Sequence, residues 1–397
     1  MRAPRLRPVA LVAWLCVLCA WAGAINPPGS PSVAQVKEAA VAAVAAGKAA
    51  PAMHALAAAL RADPNWKEGL WDFGTLLYEA HDLPNALRVF ARLTQLDPQH
   101  GAPWAMLGIC DFEARNFGMS FTHIQEGRSL GMPNANLQAV ALYDEAQDLL
   151  MLEEFPQARH LLAGFALHRR RSPGIVAAFG LAALHLPLLP EQLPQALSAS
   201  RRRLVQALGL AMFYLEARKQ AAAAKVMSRV LHTWPNVPYV QYSDGVLLVR
   251  MGLLKAARAA FERELRIQPN NVPARLQLAA IYERNARYRD AMTYARQALR
   301  LEPSNFAPHY MVGFIEFRQG RLTAATRQLE RSKQLNPEDS QIRYALAQVD
   351  VRLHRPKAAL REERAFRRLE RLTRSYRSTG ALPASVYLHS RKHSGTP

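Results

Sequence analysis

The side chains that could carry chemistry are scattered along this 397-residue chain. His160 and His168 lie eight residues apart, but two histidines without carboxylates are far more often structural than metal ligands. An acidic cluster also stands out, comprising Asp144, Glu145, Asp148, Glu153 and Glu154. We interpret this cluster as a solvated helix face rather than an acid–base pair. The sequence lacks an HExxH motif, a phosphate-binding glycine loop and a nucleophile elbow, so we expect no enzyme, metal or cofactor.

The first residues have the pattern of an export signal. A basic start (residues 2–7) precedes an apolar run (residues 9–21), and Ala22 to Ala24 supply small residues for cleavage. The run is shorter than the ~20 apolar residues of a membrane span. We predict a signal peptide over residues 1–24, cleaved after Ala24, and a periplasmic or secreted protein. The alternative is a short uncleaved anchor.

Cysteine and charge limit the function further. Two of the three cysteines lie in the apolar run, so Cys110 alone remains and no intramolecular disulfide can form. The formal net charge of +20 is uneven: residues 25–200 carry 12 Lys and Arg against 16 Asp and Glu, whereas residues 201–397 carry 36 against 15. Such a field favours acidic partners or anionic surfaces. An anionic envelope surface fits an exported chain better than nucleic acid, for which the sequence has no recognised module.

Prolines recur at a fixed interval of 34 residues. Pro235, Pro269, Pro303 and Pro337 are evenly spaced, and Pro64 and Pro98 have the same spacing. Small residues recur between them at Gly245, Ala279, Gly313 and Ala347, and alanines recur at 257, 291, 325 and 359. Each interval has apolar positions at helical spacing in two stretches, which predicts two amphipathic helices per unit. The prolines must lie between helices, because an internal proline costs ~3 kcal/mol.

This pattern resembles the tetratricopeptide repeat, W-x2-L-G-x2-Y, A-x3-F, P. Trp104, Leu107 and Gly108 match its first half. Two fuller matches are Phe73, Gly74, Ala86, Phe90 and Pro98, and then Gly245, Ala257, Phe261 and Pro269. The resemblance covers residues 33–373 and implies an all-α, right-handed superhelical solenoid of helix-turn-helix units, like exported or periplasmic bacterial members of the family. The predicted array has about nine or ten repeat units.

The pattern weakens between residues 136 and 203, and the second helix of the unit at 101–135 is poorly matched. We predict an N-terminal sub-array at 25–172, an irregular joint at 173–203 and a C-terminal sub-array at 204–373 that ends in a basic helix. A disordered tail follows at 374–397. The loop at 185–190 is either a joint between sub-arrays or an ordinary long loop. Pro98 and Pro235 are 137 residues apart, one residue more than four periods of 34, which favours one continuous array.

The resemblance places a ligand on the concave wall formed by the first helices. The predicted ligand-binding groove contains Tyr242, Arg250, Arg284, Tyr310, Phe314, Phe317, Arg318, Tyr344 and Arg352. Arginines can bind carboxylates in bidentate fashion, and aromatic rings give rigid contact area. We therefore predict an extended, acidic peptide or protein partner. The other interpretation of the arginines is helix-end chemistry, because a cation interacts well with the helix dipole there.

The predicted function is a non-catalytic protein-interaction scaffold or adaptor of the cell envelope. One alternative is an envelope-assembly adaptor that binds anionic glycan or lipid through its basic outer surface. Another is an accessory subunit of an envelope enzyme. The carboxylate clamp found in some family members is absent, because Leu276, Gln277, Ala280 and Tyr310 occupy its positions.

Overall fold

The described residues fold as α-helices only. The computed structural model describes residues 32–379 and contains no β-strand within them. The predicted all-α helical-repeat solenoid is thus confirmed. Within residues 32–379, no helix is long and apolar enough to cross a membrane. The predicted signal peptide at 1–24 lies outside the described residues.

The described residues form two compact units, the first ending at Pro64 and the second starting at Asn65. The first unit contains α1 (Val33–Ala45) and α2 (Ala49–Ala62). Ser32 begins α1 with a capping box, because its hydroxyl accepts from Gln35 N–H while the Gln35 side chain accepts from Ser32 N–H. Alanines and Leu56 form the contact between the two helices, and Lys37 Nζ lies 2.6 Å from Asp63 Oδ2.

The second unit is a series of antiparallel helix pairs. Its first part contains α3 (Lys67–Glu79), α4 (Leu83–Leu96), α5 (Gly101–Glu113), α6 (Phe117–Leu130), α7 (Ala135–Met151), α8 (Phe155–Leu167), α9 (Pro173–Leu184), α10 (Leu193–Ala196) and α11 (Ala199–Glu216). Its second part contains α12 (Gln220–Thr233), α13 (Val240–Arg250), α14 (Leu254–Ile267), α15 (Val272–Arg284), α16 (Tyr288–Leu301), α17 (Phe306–Arg318), α18 (Leu322–Leu335), α19 (Ser340–Arg352) and α20 (Pro356–Thr379). Except at α9 and α10, odd-numbered helices are the first and even-numbered helices the second of each pair.

The turn inside each pair has one residue in the left-handed region, with φ of 54–79°. These residues are His81, Arg115, Glu153, Arg218, Gly252, Ala286, Gly320 and His354. The last five are evenly spaced at the same interval as the prolines, which confirms the predicted register in the C-terminal repeats. The interval from Arg115 to Glu153 is 38, because α7 has 17 residues where most first helices have 13.

The recurring small residues lie where the two helices of a pair cross. A Cβ on Gly245 would lie 2.4 Å from Phe261 Cε1, and one on Gly313 would lie 2.9 Å from Leu329 Cγ. Ala279 and Ala347 occupy the same position in the other pairs and are themselves buried. The recurring prolines lie in turns between helix pairs, as predicted.

The irregular segment at 173–203 has a specific cause. Helix α10, the expected second helix beginning at Leu193, ends after four residues, so α9 has no full partner of its own. It packs directly on α11 instead, where a Cβ on Gly180 would lie 2.0 Å from Val205 O and one on Gly209 would lie 1.9 Å from Val176 O. Every residue from Ile175 to Leu184 is buried.

The hydrophobic core runs through this segment without a break. One cluster of buried side chains extends from Phe121 through Phe179 and Leu208 to Leu247. The loop after α9 is itself anchored, because the His185 ring stacks on Tyr239 at 3.9 Å and lies 4.6 Å from Phe155. Burial lowers the pKa of His185 to about 4. The segment is therefore a packed joint.

Three sequence expectations differ from the structure. The second helix expected to be poor in the unit at 101–135 is complete, from Phe117 to Leu130. Helix α11 begins at Ala199, before the predicted limit of 204, because Ser198 caps it. Helix α20 continues to Thr379, past the predicted start of the tail at 374, and residues 380–397 lie outside the described residues.

Candidate functional site

The predicted groove residues lie on four first helices, α13, α15, α17 and α19, but they differ in accessibility. Tyr242 on α13 is only 8 % exposed and packs on Phe261 with ring centroids 5.7 Å apart. Its hydroxyl interacts with Arg159 of α8 and with Gln277. Tyr242 therefore belongs to the core and offers little surface to a ligand.

Helix α17 presents a row of three half-buried rings. Tyr310 stacks on Phe314 with centroids 5.8 Å apart, and Phe314 lies 6.3 Å from Phe317. Burial, with help from Asp339 and Glu283, raises the pKa of Tyr310 to about 12. Its phenol is therefore neutral at physiological pH and can donate a hydrogen bond.

Helix α19 has the most exposed apolar side chains in this part of the array. Tyr344 is 50 % exposed and rests on Phe366 of α20 at 5.3 Å. Val351, seven residues further on the same helix, is 63 % exposed. Residues seven apart share a helix face, so α19 extends the ring row of α17 with an accessible apolar surface.

Three of the four groove arginines reach back to the preceding repeat. Arg250 Nη2 lies 3.3 Å from Glu216 Oε2. Arg318 Nη1 lies 3.2 Å from Glu283 Oε1. Arg352 Nη1 donates to the Phe317 carbonyl at 3.3 Å and its guanidinium lies 5.2 Å above the Phe317 ring. These contacts tie neighbouring first helices together, a role that the sequence interpretations did not include.

Arg284 differs from the other three. It is exposed, and it has no ion pair with any residue in the described part of the chain. All four arginines occupy the last turn of their helices, so the helix dipole also favours them there. Arg250 and Arg318 remain 50 % and 45 % exposed, which leaves guanidinium donors accessible from the groove.

A second set of recurring contacts joins first helices to the turns that precede them, and we did not predict it from the sequence. The side chain six residues after four of the six recurring prolines bonds back to that proline's carbonyl: Trp104 to Pro98, Gln241 to Pro235, His309 to Pro303 and Arg343 to Pro337. The distances are 2.9–3.2 Å. The residue type changes in every repeat, so only its fixed distance from the proline could have revealed it.

The three acids of the predicted cluster that lie on α7 are not on the solvated face that we expected, whereas Glu153, in the turn after α7, is exposed. Asp144 is 7 % exposed, and Glu145 and Asp148 are fully buried. The reason is that α7 packs against α5, α6 and α8, so its charged side faces other helices. Arg128 forms a buried ion pair with Glu145, and Ser120 Oγ donates to Asp148 Oδ2 at 2.6 Å.

Burial changes the protonation of this cluster. It raises the pKa of Asp144 to about 8, with further contributions from Glu113 and Glu191. It also raises the pKa of Asp148 well above its usual value. Asp144 is therefore largely protonated near neutral pH.

The remaining candidates for chemistry do not assemble into a site. His160, in the middle of α8, and His168, its C-cap, are both exposed. Cys110 is buried and burial raises its pKa to about 12, so it is a poor nucleophile. Among residues 32–379, no group of three or more His, Cys, Asp or Glu side chains could hold a metal ion.

Comparison with solved structures gives low overall similarity. A MamA double mutant of strain RS-1 is 20 % identical, with a TM-score of 0.38, over 43 % of this chain and 95 % of the other. MamA 41-end from Desulfovibrio magneticus RS-1 is 19 % identical (TM-score 0.37; 42 % and 93 %). A chain of the APC/C hetero-tetramer Cut9–Hcn1 is 13 % identical (TM-score 0.37; 88 % and 82 %). At these TM-scores the similarity supports no conclusion about this chain.

Comparison with curated proteins gave no match. A family model described as tetratricopeptide repeat matches residues 208–272 and 276–340. These two stretches span α11 to α18, where the turns recur at the constant interval. The repeats of this family are typical of protein-interaction scaffolds without catalysis. The helix pairs and the family match agree in register, so residues 208–272 and 276–340 are identified as tetratricopeptide repeats.

Proposed function

We propose that the chain is a non-catalytic scaffold that holds an extended, acidic peptide segment of a protein partner along α15, α17 and α19. The observation that carries this proposal is the continuous surface formed by the Tyr310–Phe314–Phe317 rings, the exposed Tyr344 and the adjoining guanidinium groups. Rings contribute apolar contact area, and accessible guanidinium donors can bind carboxylates.

The inter-repeat contacts of the arginines fit this role. A guanidinium held by Glu283 or by the Phe317 ring loses little further freedom when a carboxylate binds it. Arg284 supplies a cation that no described acid neutralises. The structural and binding interpretations of the arginines are therefore compatible.

The test replaces Arg284, Arg318 and Arg352 together by Gln, which removes charge but keeps the side chains long. The probe is a fluorescent peptide of alternating Glu and Leu, acetylated and amidated at its ends, in low salt. We expect at least tenfold weaker binding. Substitution of Tyr344 and Phe314 by Ala should also weaken it.

A matched control is available on the second helices. Arg266, Arg300 and Arg368 occupy one repeat position of α14, α16 and α20, and all three are exposed. Their replacement by Gln changes the net charge equally but should leave peptide binding unchanged. Equal loss from both triple variants would indicate non-specific charge attraction and would contradict the groove proposal.

Arg266, Arg300 and Arg368 favour a second function, which is binding of anionic lipid or glycan by the surface of the second helices. None of them has an ion-pair partner among the described residues, and they recur in register. Cosedimentation with phosphatidylglycerol vesicles tests this function. The Arg266/Arg300/Arg368 variant should lose it and the groove variant should keep it.

A location in the cell envelope is part of the proposal and rests on the predicted signal peptide at 1–24. Amino-terminal sequencing of the exported protein tests cleavage after Ala24. The role of accessory subunit to an envelope enzyme remains an alternative, which stoichiometric co-purification of an enzyme would support.

A further inference from the structure

The last helix pair, α19 and α20, differs from the earlier ones because no helix follows it within residues 32–379. In the pairs before it, the next first helix packs on the second helix. Met292 of α16, for example, lies in one hydrophobic cluster with Val312 and Ile315 of α17 and is only 7 % exposed. Leu360 of α20 occupies the equivalent position two repeats later and is 46 % exposed. The outer face of α20 is therefore the surface that a further first helix would occupy.

A second position on this face shows the same change. Lys333 of α18 is 17 % exposed, and its ammonium group lies 3.2 Å from a carboxylate oxygen of Glu362 in the next pair. Arg367 occupies the equivalent position of α20, and its side chain is 70 % exposed. Leu360 and Arg367 are seven residues apart and so share one helix face. This face combines an apolar contact position with a position that forms an ion pair between earlier repeats.

Val351 shows the corresponding change on α19. Its equivalent in the preceding repeat is Phe317, and the guanidinium of Arg352 from the next repeat lies 5.2 Å above that ring. Val351 itself is 63 % exposed. The outer face of a terminal repeat is expected to be polar, because it meets water. Exposed Val351 and Leu360 therefore mark this end of the array as a docking surface.

Helix α20 also extends beyond the pair to which it belongs. It has 24 residues, whereas α18 has 14. Ser340, the first residue of α19, donates to Glu370 at 2.9 Å, so residues 371–379 continue past that helix. At the rise of an α-helix this adds roughly 14 Å. A partner helix that lies along α20 thus meets a longer surface than α18 offers.

The charge of this face selects the kind of partner. Arg364, Arg367 and Arg371 lie on the same side of α20 as Leu360, and all three are exposed. Arg367 has an ion pair with Glu363 at 2.5 Å, but an exposed pair of this kind contributes little. A strongly positive face repels a second copy of itself and attracts carboxylates.

Two other segments of this chain complement the face poorly. Residues 380–397 contain Arg391 and Lys392 and no Asp or Glu. The first helix pair, at residues 33–62, carries three Lys and Arg against one Glu. Neither segment has the negative charge that a positive surface attracts, so charge favours a segment of another protein.

We propose that the outer face of α20 around Leu360, Arg364 and Arg367 binds an acidic amphipathic helix of a partner protein, which packs there as a further first helix would. Helix α19 shows the apolar pattern that such a partner needs. Four of its residues form one cluster with Ala325 and Leu329 of α18: Ile342, Ala345, Leu346 and Val349. The partner helix therefore carries apolar residues at i, i+3, i+4 and i+7, with Asp or Glu beside them. This site goes beyond the groove function and does not depend on it.

The probe is a fluorescent peptide of about 20 residues, because shorter helices are marginal in water. It has leucines at this spacing and glutamates on either side of them, and its ends are acetylated and amidated. A control peptide has the same composition without the apolar stripe. In about 0.15 M salt, fluorescence anisotropy with the full chain should show saturable binding of the patterned peptide, at least about tenfold tighter than the control. Equal binding of the two peptides would overturn the proposal.

The variants are at exposed positions and so do not threaten folding. Leu360→Asp should weaken binding at least about tenfold, whereas Leu360→Met, which places the residue of α16 there, should bind normally. Arg364→Gln combined with Arg367→Gln should weaken binding and reduce its salt dependence. The matched control removes two exposed arginines of α16, Arg296→Gln with Arg300→Gln, and should change neither. Unchanged affinity in Leu360→Asp would contradict the site itself.

Two further results would assign the face to this chain and overturn the choice of partner. One is tighter binding of a peptide of residues 380–397 than of the probe, with the same dependence on Leu360. The other is concentration-dependent dimerisation of the full chain that Leu360→Asp abolishes. Arg284→Gln with Arg318→Gln should bind the helical probe normally, and Leu360→Asp should still bind the Glu and Leu peptide. The groove proposal and this one can therefore fail separately.

Discussion

Glycines at helix crossings meet different atoms in two regions of the second unit. Between residues 101 and 209 they face backbone: a Cβ on Gly101 would lie 2.2 Å from Gly127 O, and one on Gly209 would lie 1.9 Å from Val176 O. Between residues 238 and 379 they face side chains, Phe261 at Gly245 and Leu329 at Gly313. A side chain can rotate away and a helix backbone cannot, so the first region tolerates less change at these positions.

The two regions also differ in how they neutralise buried acids. In the first, burial raises the pKa of Asp144 to about 8, so this acid is mostly protonated at neutral pH, and burial also raises the pKa of Asp148. In the second, Glu362 of α20 is 1 % exposed and stays ionised, because Arg343 and Lys333 lie 2.9 and 3.2 Å from it. The pKa of Glu362 is lowered accordingly, chiefly by its hydrogen bond from Arg343, against the effect of burial. The contribution of Asp144 to stability should therefore be lost as pH rises, and that of Glu362 as pH falls.

The largest effect is expected at the joint. Gly209→Ala places a methyl group against the Val176 carbonyl and should cost about 3 kcal/mol of unfolding free energy. Gly313→Ala meets a movable leucine at a position where other repeats have Ala279 and Ala347, so it should change stability by less than about 1 kcal/mol. Urea unfolding of both variants measures the difference, and equal costs would remove the distinction between the regions.

Glu362→Gln should have the next largest effect. It leaves Lys333 and Arg343 without their shared anion, and their side chains are only 17 % and 19 % exposed. We expect a loss of about 2 kcal/mol at pH 7, measured by urea unfolding. The loss should shrink on acidification, because protonation removes the same charge from the wild type. A loss that persists unchanged at pH 3 would show that packing, not charge, is responsible.

Asp144 should contribute strongly to the loss of stability as pH rises from 5 to 8. The folded state holds a proton that the unfolded chain has already released above about pH 4, so its contribution is complete below that pH and disappears as pH rises to about 8. Stability should fall by on the order of 1 kcal/mol per pH unit between pH 5 and 8. Asp144→Asn should reduce this slope in urea titrations, and an identical slope would contradict the burial of a protonated acid.

The smallest effect concerns the arginine ties. Arg250 and Glu216 lie 3.3 Å apart, and the arginine is 50 % exposed, so their coupling should be about 0.5 kcal/mol. A double-mutant cycle with Arg250→Ala and Glu216→Ala measures it, ideally in low and high salt. A coupling above about 2 kcal/mol, near the upper end for residues in contact, would mean that these ties are a main source of repeat stability.

The repeat register could be predicted because its markers are local and periodic. Prolines, small residues and alanines recur at one constant interval between residues 235 and 359. The sequence predicted an irregular segment at 173–203 but not its packing, because the direct contact of α9 with α11 exists only where α10 is cut short. Nothing in the residues 193–196 distinguishes a short helix from the start of a full one.

The candidate site was only partly predictable for the same reason. Periodicity places the ring row on α17 and the four arginines in the last turns of first helices, but burial depends on helices that are distant in sequence. Tyr242 is covered because Arg159 of α8 reaches it across the joint. The acids of α7 are covered because this longer helix faces α5 and α6 with its charged side.

The contact between Gly180 and Gly209 has a use in comparing genomes. Apolar residues around it can be exchanged if their total volume is kept, so they diverge readily. A chain that keeps the direct α9–α11 crossing has no substitute for either glycine, because the opposing atoms are carbonyl oxygens. This pair, with a truncated helix between its members, is therefore a marker for recognising orthologues among the many arrays that share only the general repeat pattern.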